Sequence, residues 1–472
     1  MQISRREFNV LMSSVAIALV TPRVSAQALR VRREIRTLSP ADLDGLRAGV
    51  QAMRALPKAN FRSWLYQAGV HGAPAGDSAG VPDAGTYWNQ CVHGGLHFLS
   101  WHRWELLFIE EIMRLMSGRC DFTLPYWDYI ADGFLPDPLR LPADASNPLY
   151  NSSRAAALND GSAGLGGLSL NALDQAAFAN FSGSLYGNPH SAVHGLIGGD
   201  MGSVPTAARD PVFYLHHCNI DRYWECWSKS GKANPGAPWT TQTFPFRTLS
   251  GHRDARAGDV GRTSDVGYTY DNLPCRQRFR PDLRDLVRDL RHIKLRVRPR
   301  PIPEPGPWPW AAALTTESFV ITGQPLAVLL PQAELRKANI AARGADGGAP
   351  AAVTLRGVTM SREAQSGGFF IEAWIAPAKA LRAGNLQDAQ QIGSFSGFDL
   401  TLHAGHEGHA GAQSIALPIG EQAMRLLTGA QGDVAVVFVR RGLVGRNGKQ
   451  LDGSARAELF KVEGLGLEAA RR

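Results

Sequence analysis

HGGLHFLSWHR, His93 to Arg103, sets His93, His97 and His102 among Gly, Leu, Phe and Trp. Imidazoles this dense in an apolar stretch are either satisfied core residues or metal ligands. The stretch continues as WHRWELLFIEEIMRLM (Trp101 to Met116), where Trp104, Leu107, Phe108, Glu111 and Leu115 recur at three- and four-residue steps. That periodicity predicts a helix with His102 in its first turns.

The rest of the chain repeats the theme. Eight of its 13 histidines fall between His71 and His217. HSAVH puts His190 and His194 one helical turn apart, a spacing that lets two ligands share one ion. DPVFYLHHCNID supplies His216 and His217 on a second predicted helix that begins around Pro211. One HxxxH is commonly just a polar helix face, but two histidine clusters, each with further histidines nearby, point to metal. The donors are neutral nitrogens. HExxH, Cys-x-x-Cys and di-iron Glu-x-x-His patterns are missing, so zinc protease, structural zinc and di-iron chemistry lose ground to copper.

With these residues laid out, HFLSWHRWELLFIEE, LPYWDY, PHSAVHGLIGGDM and DPVFYLHHCNIDRYW together resemble the tyrosinase/catechol oxidase (polyphenol oxidase) family of type 3 dicopper proteins, over roughly residues 60–275 and in the family's order. The resemblance implies a mainly α domain with long loops, built on a four-helix bundle around two copper ions. Carried over position by position, it makes His71, His93 and His102 ligands of the first copper. His190, His194 and His217 become ligands of the second. His216 is then a supporting neighbour, and His97 is not a ligand. Cys91, two residues before His93, matches the cysteine that some fungal members join to this histidine by a thioether; the alternative is a buried free thiol. Phe213 would pack between ligand rings. Arg103 and Asp221, charges in apolar helices, would pair across them, and GYTYD (Gly267 to Asp271) would close the domain.

The implied activity is oxidation of o-diphenols to o-quinones, with O2 reduced to water. Full tyrosinases also hydroxylate monophenols, which the family links to a water held by a Glu and an Asn. Tyr186 and Ser191 stand at those positions here, and a phenol of ordinary pKa near 10 is a poor base at neutral pH. That favours diphenol oxidation. The position that often carries a bulky blocker above the first copper is Val204, a small side chain. Competing readings are a full tyrosinase, a non-catalytic haemocyanin-like O2 carrier, and a histidine-liganded zinc hydrolase. For the last, no general-base carboxylate lies in register with the ligands.

Further along, PRPIPEPGPWPW (Pro299 to Trp310) has proline at every second position up to Pro309. Neither helix nor central strand can form there, so a polyproline spacer is expected. It divides a Trp-, Tyr- and His-rich region, 27–298, from an all-β, sandwich-like region, 311–472. The latter's short runs are SFVITG, LAVLLP, AAVTLRGVTM, GFFIEAWIA, FDLTLHA, DVAVVFVRRG and AELFKV. GFFIEAWIAP and IGSFSGFDLTLHAGHEGHAG resemble the C-terminal domain of plant-type polyphenol oxidases, which covers the active site and keeps the enzyme latent. The spacer, with arginines at its start, offers a site for an activating protease. His403, His406 and His409 read as a solvated loop.

Residues 1–26 read as a twin-arginine export signal: SRREF, an apolar run from Val10 to Val20, then VSA. The run is too short to span a bilayer. An exported protein, periplasmic or secreted, is expected, with its cofactor inserted before export. The 472 residues carry a net charge of +8, and no basic stripe with interleaved aromatics points to nucleic acid. The partners implied are O2 and a small phenol. Of five cysteines, Cys120, Cys218, Cys226 and Cys275 can be paired in more than one way. The physiological phenol and the oligomeric state stay open.

Overall fold

The computed structural model describes residues 29–275, 311–315, 318–333, 335–336, 350–383, 388–401, 413–429, 431–451, 453 and 456–469. The export signal, the proline spacer, and His403, His406 and His409 lie outside them.

The N-terminal region is helical with long loops. Helix α1 (Pro40–Arg54) starts where Ser39 accepts the Asp42 N–H and Pro40 occupies the first turn, both strong N-terminal signals. Helix α2 (Trp64–His71) is capped likewise by Ser63 and ends on the first histidine. Helix α3 (Phe98–Ser117) stops at Gly118, whose φ of +68° is the left-handed cap that glycine adopts without strain. Helices α4 (Phe178–Leu185) and α5 (Ala192–Ile197) are joined through a widened turn, and α6 (Val212–Lys229) completes the core.

The periodicity placed α3 correctly but misjudged the C-terminal end of its face. Leu115 is 51% exposed and Glu111 lies in solvent. Trp104 and Phe108 of the expected face are buried, together with Phe98, Trp101, His102, Glu105, Ile109, Ile112 and Met113. α3 packs on α1 on one side and α6 on another, so its first half is buried all round and a single-stripe count fails toward its C-terminal end.

Most charges buried in this region are paired, whereas the carboxyl group of Glu105 is buried without a hydrogen-bond partner among the described residues. Asp221 on α6 accepts from Arg103 Nε on α3 at 2.5 Å, from Tyr268 Oη at 2.6 Å and from Tyr270 Oη at 2.5 Å. Arg103 also stacks on Trp224, and Arg32 binds Glu110 at 2.9 Å. Strand β1 (Arg30–Arg32) runs parallel to β5 (Tyr268–Tyr270), which brings Arg32 to this network. Cys226 and Cys275 form a disulfide, while Cys91, Cys120 and Cys218 are free thiols.

The second region is an antiparallel sandwich. One sheet orders Gln390–Phe395 (β11), Phe369–Pro377 (β10), Val434–Gly442 (β13) and Leu326–Leu330 (β8). The other orders Ala311–Thr315 (β6), Gly464–Ala469 (β16), Pro350–Met360 (β9), Glu458–Val462 (β15) and Phe319–Thr322 (β7), with Gln413–Pro418 (β12) also on β9. Most apolar runs named above are strands. FDLTLHA is a correction: Gly397–Thr401 forms a single 3-10 turn. β11, β12 and β16 were not anticipated, because glycine and glutamine dilute their patterns.

The two regions interlock. Val444–Gly445 (β14) pairs antiparallel with Ala163–Gly164 (β2). Phe370, Phe398 and Leu443 of the second region pack in the core of the first rather than in their own.

Candidate metal centre

Two groups of donors come together. In the first, ligand atoms of His71, Cys91 and His102 lie within 4.8 Å of one another; in the second, those of His190, His194, His216 and His217 do. The groups adjoin, since the His102 and His217 rings stack with centroids 4.2 Å apart. His93 stands beside the first group, its ring 5.1 Å from His71 and 6.3 Å from His102. His97 does not join; it stacks on Trp239.

The chain sets the tautomers. His71 Nδ1–H donates to the Val204 carbonyl at 3.2 Å, His102 Nδ1–H to Phe98 at 2.7 Å and His194 Nδ1–H to Met201 at 2.7 Å. Each Nε2 is left as a lone pair facing inward, the arrangement that orients ligating histidines. Nε2 of His71, His190 and His194 and both nitrogens of His216 and His217 are buried without a protein partner. Burial lowers the imidazole pKa values, with His102 and His194 down to about 3, so the rings are neutral donors. Buried lone pairs left unsatisfied are costly, and a metal ion satisfies them. The donor set therefore fits two ions that prefer imidazole.

Around the donors, the Phe213 ring lies 4.6 Å from His71 and 4.3 Å from His217. Cys91 Sγ is 3.3 Å from both His93 Nε2 and His102 Nε2. Burial pushes its thiol pKa well up. Geometry alone does not separate His216 from His217, since both rings carry inward nitrogens. Tyr186 stacks on His190 with centroids 4.9 Å apart, and burial raises its phenol pKa well above 10. The Val204 side chain is buried, and its backbone N–H bonds Thr401 Oγ1 at 2.9 Å.

Two residues of the second region complete the enclosure and were not singled out from sequence. The Phe398 ring lies flat on His194, centroids 3.9 Å apart and planes 14° from parallel, with edges toward His190 and His93. Next to it, Asp399 accepts Ser191 Oγ–H at 2.8 Å and the Ser396 N–H at 2.8 Å. Burial raises the Asp399 carboxyl to about 6. The signal was a bulky ring between small residues, Ser396-Gly397-Phe398, inside a run that otherwise reads as a strand.

Comparison with known proteins agrees with this geometry. The common central domain of tyrosinase matches residues 61–163 and 147–230. Tyrosinase HcTyr1 of Hahella sp. (strain CCB-MM4) is 30% identical over 51% of this chain and 63% of its own length. The chloroplastic polyphenol oxidase A1 of Vicia faba is 31% identical over 53% of this chain and 48% of its own. The chain thus spans about half to two thirds of these relatives. The structure of latent apple tyrosinase superposes over 94% of this chain and 98% of that one, with a TM-score of 0.57 at 20% identity, a likeness of fold across both regions.

Proposed function

We propose that the chain, whose residues 61–163 and 147–230 match the common central domain of tyrosinase, is a dicopper phenol oxidase of that family, oxidising o-diphenols to o-quinones with O2 reduced to water, and held latent by its own β domain. The carrying observation is the pair of adjoining donor groups in which inward nitrogens of His71, His190, His194, His216 and His217 are buried without a protein partner. His71, His93 and His102 would hold one copper, and His190, His194 and His217 the other. Bound there, the ions would supply a two-electron couple between the phenol and O2.

The chain's own residues do the rest. Backbone carbonyls of Val204, Phe98 and Met201 fix the ligand rings. Phe213 spaces His71 from His217, and the Arg103–Asp221–tyrosine network holds α3 against α6. Phe398 occupies the face of His194 on which a flat phenol ring would lie, which supports latency. His216 supports the ligands with its ring stacked near His190. Tyr186, its pKa raised by burial, is ionised even less than a free phenol and so is seldom available as a base, and the Ser191 hydroxyl is engaged by Asp399. Both features favour diphenol oxidation over monophenol hydroxylation. The nearness of Cys91 Sγ to the His93 ring supports a thioether, an oxidation that removes the thiol hydrogen and a ring hydrogen with O2 as terminal oxidant. Among the described residues no helix is long and apolar enough to cross a membrane. Twin-arginine export and a protease acting at the spacer belong to the same proposal.

The test is O2 uptake by copper-loaded protein, before and after displacement of the β domain, with a catechol and its matching monophenol. Uptake with catechol alone, rising on displacement, is the expected result. Uptake with both would make the protein a full tyrosinase. Two bound coppers with no uptake in either state would favour an O2 carrier.

A further inference from the structure

The segment bearing His190 and His194 is not a plain helix. Between α4 and α5 it widens over Tyr186–Ser191, with Pro189 inside it and Asn188 at φ −140°, ψ 119°, far from helical values. Such a break loosens the regular helical ladder, although the Gly187 carbonyl still accepts the Ala192 N–H.

The β domain meets this segment along one line. Gly183, Gly187, Ser191, Gly195 and Gly198 recur at four-, four-, four- and three-residue steps. A Cβ at Gly183 would stand 2.9 Å from Pro418, at Gly187 3.0 Å from the Ser394 carbonyl, at Gly195 2.5 Å from Ser396 Cβ and at Gly198 3.0 Å from the Ser366 carbonyl. The small residues let the domain reach the backbone itself. The carbonyls of residues 187, 191 and 195 each accept a bond from it: Ser394 Oγ at 2.9 Å, Ser396 Oγ at 3.1 Å and the Gly368 N–H at 2.8 Å. The Ser191–Asp399 bond adds a fourth.

The first donor group is carried differently. His102 sits in the unbroken α3 and His71 ends α2. The β domain touches that group through the Phe398 edge on His93 and, indirectly, through Thr401 on the Val204 backbone.

We propose that the β domain is a clamp on the interrupted helix that carries His190 and His194, so that its docking and the retention of the second metal ion are thermodynamically coupled. The inference rests on the dicopper reading and deepens it: the domain shields the site and also shapes one half of it. Coupling of this kind is reciprocal, so the ion in turn strengthens docking. Ser394 and Ser396 are positioning residues acting through the helix backbone.

The experiment uses full-length, copper-loaded protein and the double variant Ser394→Ala/Ser396→Ala, which leaves the ligand helix unaltered. Copper per chain is followed during a chelator chase, together with the resonance of an isolated cupric ion, which a coupled pair does not give. Removing groups that orient ligands typically costs about 10- to 100-fold in metal affinity. The expected result is one ion leaving about tenfold faster than in the parent, an intermediate with about one copper per chain, and an unchanged melting temperature. Loss of both ions at the parental rate, or equal acceleration of both with a lower melting temperature, overturns the clamp. A parent that never holds two coppers overturns the dicopper reading itself. Should the double variant fail to fold, Asp399→Asn, which perturbs the Ser191 bond across the interface and the Ser396 N–H bond within the β domain, is read in the same way.

Discussion

The two regions of this protein keep very different interiors. The helical region buries Arg32, Arg103, Arg154, Arg222, Asp210, Asp221 and Glu110, matched into ion pairs and bonds to tyrosine and backbone. The β domain's core is mainly Val, Ile, Leu and Phe, from Ile321 through Phe460 to Leu467, with the Glu372–Arg441 ion pair at its margin. Buried ion pairs contribute little net stability but penalise any packing that separates the partners. Apolar sandwiches tolerate exchange of similar side chains far better. A site whose ligands must meet within tenths of an ångström needs the first kind of interior. A domain that, as proposed, presents one ring and a row of hydroxyls needs only to be rigid. On the proposed reading, the difference teaches that the frame of the centre resides in the helices, while the sandwich would govern access and brace the segment that carries His190 and His194.

The sharpest way to break this division is His194→Ala. It should remove about one copper per chain and abolish oxidation, whether or not the β domain is docked; metal analysis and O2 uptake check it. Next, Asp221→Asn leaves Arg103 buried without its countercharge and should lower stability by about 3–5 kcal/mol. A urea midpoint shift at unchanged slope is the readout, and a loss below about 1 kcal/mol would contradict the rigid-frame view. Phe398→Ala tests the access half. Truncating a buried phenylalanine costs about 3 kcal/mol or more. Spent on docking, that raises the open fraction, and with it the untreated enzyme's catechol oxidation, by up to about a hundredfold. The melting temperature of the helical region should hardly move.

A subtler test uses pH. Asp399 has its carboxyl raised from 3.8 to about 6 in the docked state. An acid with a raised pKa favours the state that keeps it protonated, so docking is strongest in acid. It should weaken between about pH 4 and 6 and stay level above, by about a hundredfold at most for two pKa units. Latent activity should leak upward across that window, and Asp399→Asn should flatten the rise. The smallest effect belongs to Leu115→Ala on the exposed edge of α3. It should change stability by less than about 0.5 kcal/mol, and a larger loss would restore the face that the periodicity suggested.

Much of this was legible beforehand. The family, the helical core and the β-rich second region follow from the histidine motifs and from runs such as GFFIEAWIA, because metal ligands and strand cores need particular residues at particular spacings. What escaped is what depends on the other domain. FDLTLHA alternates like a strand, yet Phe398 and Asp399 sit on a turn, because docking into the helical region outweighs local pattern. The glycine and serine row from 183 to 198 reads as weak helix until its partner is seen against it. The Cys226–Cys275 pairing depends on a fold that spacing does not supply.

The short β14–β2 pairing, together with Phe370, Phe398 and Leu443 seated in the helical core, means that the domain adheres by its own contacts as well as by the chain. An intact tether presents it at an effective concentration of about millimolar. Cutting the spacer abolishes that local excess without breaking any bond in the interface. Release then becomes a bimolecular equilibrium. A nicked sample would stay silent when concentrated and awaken on dilution, so its specific activity would report the amount of protein in the tube.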